Sequence, residues 1–203
     1  MKLRIALAAF VLLSIVPAHA QQSTPKIEAE GGQPDDRASA RVLYWNDAKH
    51  GAAGQFAINY GRPVWKSDYE DPARFDRMTK GKTWRMGSNF WTDLETCLPL
   101  KISGKDVPVG HYYLGLHRSE DGTTWSLAFI DPAKVRAARL DAFEIQKAPI
   151  EFKVPMAVAQ SGPKAEKLTI ELTYPPENIR AVTLHVAWGT LALTAPIEVS
   201  VAE

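Results

Sequence analysis

The alternation of apolar and polar side chains from Lys82 to Asp131 is the feature that most constrains the fold of this chain. Side chains at every second position share one face of an extended strand, so a period of two indicates half-buried β-strands. The pair Asp121-Gly122 is typical of a tight hairpin, because glycine reaches the positive φ that such turns need. The segment therefore predicts three sequential antiparallel strands. The first of them is expected to carry Phe90, Thr92, Leu94, Thr96 and Leu98 on one face and Trp91, Asp93, Glu95 and Cys97 on the other.

The same alternation returns after Ile150 and continues almost to the end of the chain. Turn residues at 161–163, 175–176 and 189 divide it into further strands. With nine or ten short strands, the chain is expected to be all-β, with two antiparallel sheets packed as a sandwich or jelly roll. The side chains expected to face between the sheets are Leu94, Tyr112, Leu114, Leu127, Phe129, Ile170, Leu184 and Val186.

Two stretches depart from the strand pattern. Residues 132–143 predict one short helix, because Asp131 can cap it and Pro132 suits its first position. Residues 67–81 are charged and show little periodicity, which indicates a long loop with a helical turn after Pro72. Loops of that length within a domain are often functional.

The N-terminus has the three parts of a secretory signal peptide. Lys2 and Arg4 precede an apolar run, and Ala18-His19-Ala20 forms a cleavage site. We therefore expect residues 1–20 to be a signal peptide cleaved before Gln21, residues 21–40 to be a flexible leader, and residues 41–203 to be one β-sandwich domain. The expected location is periplasmic or secreted, with no membrane span, because the apolar run is shorter than the roughly 20 residues that a span needs.

Charge and cysteine content exclude several classes of partner and structure. Without Lys2 and Arg4, the 24 basic residues of the chain become 22, against 23 acidic ones. A nearly neutral chain argues against nucleic acid as a partner, since phosphate binding requires a positive field. The single cysteine, Cys97, cannot form an internal disulfide and is expected to be a buried apolar residue.

A dense set of polar and aromatic residues near Arg85 is the best candidate for a ligand site. A planar guanidinium, an amide and aromatic faces together suit a carboxylate, a sugar or a peptide end. In the competing interpretation, Arg85 pairs with an acid such as Asp93, Trp84 packs in the core and Asn89 caps a bend. The candidate ligand-binding residues are Arg62, Trp84, Arg85, Asn89, Trp91 and His111.

Catalytic and metal-binding interpretations have weaker support. Asp93 and Glu95 would stand about 7 Å apart on one strand face, within the range used by glycoside hydrolases. Ser88 follows Gly87 but lacks the Gly-x-Ser-x-Gly context of a hydrolase nucleophile. His111 and His117 share a strand face but would lie roughly 20 Å apart, which is too far for one metal ion. We therefore predict neither a metal nor another cofactor.

Several short motifs resemble the domain-of-unknown-function 2911 family. They are Gly61-Arg62-Pro63, residues 84–89 followed by Thr92, and the later Ile102, Gly104, Lys105, Pro108, Gly110, Tyr112 and Trp125, with weaker likeness as far as Trp188. The resemblance covers roughly residues 40 to 200. It implies a secreted bacterial β-sandwich without an agreed activity. An acidic residue of the family motif is replaced by Phe90, so the resemblance gives no support to a catalytic carboxylate there.

These observations favour a secreted or periplasmic, non-catalytic binding module for a small molecule, glycan or peptide. A hydrolase that uses carboxylates or a bound metal in the same cleft is the first alternative. A structural or interaction module of the cell envelope is the second.

Overall fold

Long antiparallel strands follow the alternation seen in the sequence. The computed structural model describes residues 27–160 and 162–202, and these are rich in strand with few helices. The prediction of an all-β chain is thereby confirmed. The strands in the described residues are β1 (Arg37–Asn46), β2 (Gly51–Gly61), β3 (Thr83–Arg85), β4 (Thr92–Thr96), β5 (Leu100–Ile102), β6 (Lys105–Val107), β7 (Gly110–Arg118), β8 (Trp125–Ile130), β9 (Ile150–Val158), β10 (Ala165–Thr173), β11 (Ala181–Gly189) and β12 (Leu191–Val199).

Short helices occupy the two stretches without alternation. α1 spans Pro72–Thr79 and α2 spans Pro132–Ala138, while 3₁₀ helices span Ser67–Glu70 and Ala142–Lys147. Asp131 caps α2 by accepting a hydrogen bond from the Ala133 backbone at 2.7 Å, as its position predicts. The helix ends at Ala138, earlier than predicted, because Arg139 adopts a left-handed conformation with φ of 54°.

The main path of pairing is one antiparallel ladder in the order β1-β2-β4-β7-β8-β9-β12-β11-β10. β3 adds to β7, while β5 pairs with both β12 and β6. β9 belongs to both halves of the ladder, because residues 150–156 pair with β8 while Ala157 and Val158 pair with β12. The two halves are therefore linked through β9 and are not two independent sheets.

Both halves of the ladder contribute to one hydrophobic core. Of the eight side chains predicted to face inward, seven are buried in a single cluster and Tyr112 packs against it. Their burial confirms the predicted inner faces of these strands. Leu114 and Leu184 are fully buried, although they come from opposite halves of the ladder.

A second, smaller apolar cluster lies on the other face of β7 and β8. There Trp91 stacks on Tyr113, and Val135 of α2 and Ile145 of the second 3₁₀ helix cover that face. The predicted alternation is wrong at its start, because Trp91 is 3% exposed whereas Phe90 is 56% exposed. Residues 86–90 form a bend, so the strand phase begins only at Thr92.

Cys97 also departs from its prediction, since its side chain is exposed. It shares the outward face with Asp93 and Glu95, which is where the alternation itself puts it. The period of two was therefore a better guide here than the usual burial of free cysteines.

The described part of the N-terminus precedes β1. Residues 27–33 are exposed, and contacts divide the chain between Gln33 and Pro34. β1 begins at Arg37, inside the segment 21–40 that the sequence assigns to a leader. The predicted signal peptide, residues 1–20, lies outside the described residues. Among the helices that are described, none has the length and apolar character needed to cross a membrane.

Candidate functional site

The short strand β3 and the bend after it position the central candidates. Thr83, Trp84 and Arg85 pair with His117, Leu116 and Gly115 of β7. The Thr92 hydroxyl donates to the Met86 carbonyl and so closes the bend.

Gly87 is required by packing in this bend. A Cβ at Gly87 would stand 2.6 Å from the Thr92 hydroxyl oxygen, so the close approach needs glycine at this position.

A cleft of about 550 Å³ opens beside Trp84 and Arg85. We call it the tryptophan cleft, after the two indoles in its wall. The first 3₁₀ helix and α1 supply one side of it, β3 supplies another, and the end of β11 supplies Trp188. Its volume lies within the range typical of small-molecule sites. The side chains that give it its chemical character are Lys66, Tyr69, Phe75, Trp84, Arg85 and Trp188.

Aromatic rings hold one another in place around this cleft. The Trp188 ring centroid lies 5.0 Å from those of Trp65 and Tyr69 and 5.3 Å from that of Trp84. Trp188 Nε1 donates to the Pro63 carbonyl at 2.9 Å, which fixes the orientation of its indole. Trp84 Nε1 is buried and has no hydrogen-bond partner. An unpaired buried donor is costly, so the fold leaves the hydrogen-bonding capacity of this indole beside the cleft unused.

Arg85 is held at the cleft without an acidic partner. Its Nη1 donates to the Asn89 carbonyl at 3.0 Å, and its guanidinium carbon lies 3.7 Å from the centroid of the Phe143 ring. It forms no ion pair with any described residue. Asp93, the acid considered as its partner in the sequence, instead accepts a hydrogen bond from Asn59 at 3.0 Å. Burial lowers the pKa of Arg85, and the charge of Asp141 opposes that shift.

The lining of the cleft is basic. Lys66 is exposed at the lining and makes no ion pair with the described residues. No aspartate, glutamate or histidine lines the cleft in the described part of the chain. Two basic residues therefore line a mostly apolar cavity, and the described wall holds no carboxylate.

Ion pairs anchor the helical side of the cleft. Asp76 of α1 lies 2.7 Å from Arg118 of β7 and 2.7 Å from Lys80. These partners hold the pKa of Asp76 below its usual value, with the hydrogen bond from Lys80 as the largest cause. Glu70 and Lys164 form a further ion pair that ties the first 3₁₀ helix to the chain before β10. The loop expected from the sequence is thus an anchored helical segment.

Two of the predicted site residues lie close by but do not line the cleft. Asn89 is exposed with φ of 64°, and its amide donates to Asp35 at 2.9 Å. Arg62 lies 3.9 Å from Asp36, and its buried Nε has no partner. Asn89 nevertheless contributes through its backbone, because its carbonyl orients Arg85.

Trp91 and His111 lie elsewhere. Trp91 is buried in the second cluster, with its ring centroid 4.7 Å from that of Tyr113. His111 lies 3.6 Å from Asp93 and lines a separate, smaller cleft with Tyr112 and Phe152. The predicted set of six therefore divides into Trp84 and Arg85 at the cleft and four residues outside it.

The catalytic candidates are also absent from the cleft, with one exception. Asp93 accepts a hydrogen bond from Asn59, and Glu95 is exposed on the outward face of β4. Ser88 does line the cleft, but no histidine of the described chain lines it to act as a base. Across residues 27–160 and 162–202, no group of three or more His, Cys, Asp or Glu is arranged to hold a metal ion.

Sequence reasoning missed Lys66, Tyr69, Phe75 and Trp188 as cleft residues. Tyr69 and Phe75 are aromatic residues within an otherwise charged, non-periodic stretch, and that contrast was the available signal. Trp188 comes from a strand about a hundred residues away in sequence, so only the fold brings it to Trp84.

The fold and the cleft define a class of protein: an all-β domain with an aromatic, positively charged cleft beside a short helix. The chain belongs to the domain-of-unknown-function 2911 family, described as "protein of unknown function (DUF2911)", whose model matches residues 46–197. The family resemblance seen in the sequence is thereby confirmed. Comparison with curated proteins and with solved structures gives no match.

Proposed function

We propose that this protein is a secreted or periplasmic, non-catalytic binding module that takes a small, largely apolar molecule in the tryptophan cleft. The observation that carries the proposal is the Trp84 indole: its ring forms part of the aromatic wall, while its buried N–H has no acceptor. Ligand sites are typically apolar clefts with a few convergent polar groups. The signal-peptide pattern of residues 1–20 supports the proposed location.

The lining of the cleft favours binding over catalysis. A hydrolytic site needs an activated nucleophile or a pair of acids, and Ser88 stands in the lining without a neighbouring base. The converging side chains are instead rings and cations, which hold a ligand without taking or giving a proton. The hydrolase alternative therefore has less support than binding.

The proposal is tested with a neutral fluorescent probe, N-phenyl-1-naphthylamine, whose emission rises in apolar surroundings. Met78 lines the cleft and is 38% exposed, so Met78→Glu introduces a charge there with little effect on the core. Val109→Glu is the matched control, because Val109 is 54% exposed on the loop between β6 and β7.

We expect the wild type and Val109→Glu to bind the probe equally. Met78→Glu should bind it at least about fivefold more weakly, because an apolar probe would have to displace the water that solvates the added carboxylate. A saturable site that Met78→Glu leaves unchanged would contradict binding in this cleft. Displacement of the probe by sugars or short peptides would then define the ligand further.

A further inference from the structure

The positive charge of the tryptophan cleft distinguishes among the apolar ligands that could fill it. Arg85 and Lys66 both line the cleft, and neither forms an ion pair within the described chain. Arg118, which also packs near α1, illustrates the opposite case: it lies 2.7 Å from Asp76. Arg118 is therefore held by an ion pair within the fold. Arg85 and Lys66 form none with the described residues, although the charge of Asp141 acts on Arg85.

The Arg85 guanidinium is also held in one orientation. Its only hydrogen bond to the described residues runs from Nη1 to the Asn89 carbonyl, so Nε and Nη2 keep free donors. Phe143 covers one face of the guanidinium, and Asp141 holds the Phe143 backbone by accepting its N–H at 2.8 Å. A planar fork fixed in this way suits an anion that accepts two parallel hydrogen bonds.

We propose that the ligand of the tryptophan cleft is an apolar molecule with one anionic end, a carboxylate, sulfonate or phosphate monoester, and that Arg85 binds this end with Lys66 beside it. This inference rests on the proposed function, because it assumes that the cleft is a binding site. The aromatic wall of Trp84, Trp188 and Phe75 contacts the apolar body.

Other ligand classes fit the lining less well. A sugar presents many hydroxyl donors, and the described lining offers neither a carboxylate nor a side-chain amide to accept them. A cationic ligand would be repelled by Arg85 and Lys66. An uncharged apolar molecule would fill the cavity but would leave both cations without an ion-pair partner.

The experiment compares two probes with the same anilinonaphthalene body. 8-Anilinonaphthalene-1-sulfonate carries an anion, and N-phenyl-1-naphthylamine does not. Both are titrated into the full chain at low and high salt. We expect the sulfonate to bind about tenfold more tightly than the neutral probe at low salt, and to lose most of that advantage at high salt.

Three variants identify the residue responsible. Arg85→Gln should weaken sulfonate binding about tenfold while changing the affinity for the neutral probe less than twofold. Lys66→Gln should weaken sulfonate binding by a smaller factor, because Lys66 is exposed. Arg180→Gln is the matched control, since Arg180 is an exposed arginine that lines a different cleft, and it should leave both affinities unchanged.

The neutral probe separates failure of this inference from failure of the proposed function. If the neutral probe binds in the cleft but the sulfonate binds no better, or if Arg85→Gln weakens both probes equally, the anionic-end inference is wrong and the proposed function stands. If neither probe binds, the proposed function fails and the inference falls with it. Displacement by dodecanoate or by dodecyl phosphate, with dodecanol as the uncharged control, then shows which anion the site prefers.

Discussion

Two clefts of similar volume lie at opposite ends of β11 and differ in how their charges are arranged. The tryptophan cleft measures about 550 Å³, with Trp188 near the last residue of the strand. The other measures about 530 Å³ and includes Arg180 and Ala181, where the strand begins; we call it the Arg180 cleft. About 23 Å of strand separates them. Volume alone therefore does not tell them apart.

The Arg180 cleft differs from the tryptophan cleft in having acids in its lining. Lys101 lies 3.9 Å from Asp106, and Arg180 donates to the Val201 carbonyl at 3.2 Å. Its lining holds two cations, Lys101 and Arg180, and two acids, Asp106 and Glu198. The lining of the tryptophan cleft holds two cations and no acid among the described residues, and the buried N–H of Trp84 has no acceptor. Unsatisfied groups, more than cavity size, distinguish a candidate ligand site from an ordinary surface depression.

The largest effect is expected from removing a ring that belongs to both the core and the tryptophan cleft. Trp188 is 7% exposed and packs against three other aromatic rings. Trp188→Ala should lower the free energy of unfolding by about 3–5 kcal/mol. Arg180→Ala, at the other end of β11, should change it by less than about 0.5 kcal/mol. Urea denaturation measures both free energies of unfolding. Equal losses would show that Trp188 contributes no more to the fold than Arg180 does.

A glycine pair isolates the packing beneath the tryptophan cleft. Gly189 has φ of 58°, and a Cβ there would lie 2.0 Å from the Trp65 ring. Gly104 also has positive φ, at 82°, but a Cβ there would meet nothing within 4 Å. Both alanine variants incur the left-handed strain of about 1–2 kcal/mol. Gly189→Ala should cost at least about 1 kcal/mol more, because it also overpacks the core. Equal melting temperatures for the two variants would show that Trp65 moves aside without cost.

Arg85→Lys is expected to act on binding and not on folding. The substitution keeps the charge but loses the planar fork that stacks on Phe143. Binding of 8-anilinonaphthalene-1-sulfonate should weaken severalfold, while the free energy of unfolding changes by less than about 0.5 kcal/mol. Thermal melting without any probe is the control. A large loss of stability would show that Arg85 serves the fold.

The smallest effect is a pH dependence near β3. Burial lowers the pKa of His117 from its ordinary value of 6.5, with Lys153 adding to the shift and Glu120 opposing it. His117 therefore binds a proton more readily in the unfolded chain than in the folded one. As a result, the free energy of unfolding falls as the pH drops from 6.5 through the folded pKa. His117 contacts the Thr83 hydroxyl at 2.9 Å and so supports the strand that carries Trp84 and Arg85.

Amide hydrogen exchange locates this effect. Between pH 7 and pH 5, protection in β3 should fall more than protection in β6, which lies beside the Arg180 cleft. His117→Gln should remove the difference between the two strands. A parallel loss of protection in both would assign the acid sensitivity to groups elsewhere in the fold.

The sequence predicted the parts of the fold that depend on a local period. The inward faces of β7, β8, β10 and β11 follow from alternation alone, and the start of α2 follows from Asp131 and Pro132. The prediction failed at Phe90 and Trp91 because Asn89, with φ of 64°, bends the chain. Alternation holds its phase only along an unbroken strand.

Two of the six residues that characterise the cleft could be predicted and four could not, for a related reason. Trp84 and Arg85 are neighbours in the sequence and combine an aromatic ring with a guanidinium, so the sequence alone shows this combination. Trp188, Tyr69 and Phe75 reach them only through strand pairing and the docking of α1, which involve residues far apart in the chain. Pairings at long range are not encoded in any local pattern.

The most direct test of the account is the indole N–H signal of Trp84 in a ¹H–¹⁵N correlation spectrum of the full chain during titration with N-phenyl-1-naphthylamine. Trp84→Phe and Trp45→Phe assign the two signals that matter. Trp45 is the reference because it is 59% exposed and does not line the tryptophan cleft. The account predicts that the Trp84 signal shifts in a saturable way while the Trp45 signal stays fixed. A fixed Trp84 signal, with shifts instead at the backbone amides of Lys101 and Arg180, would contradict it.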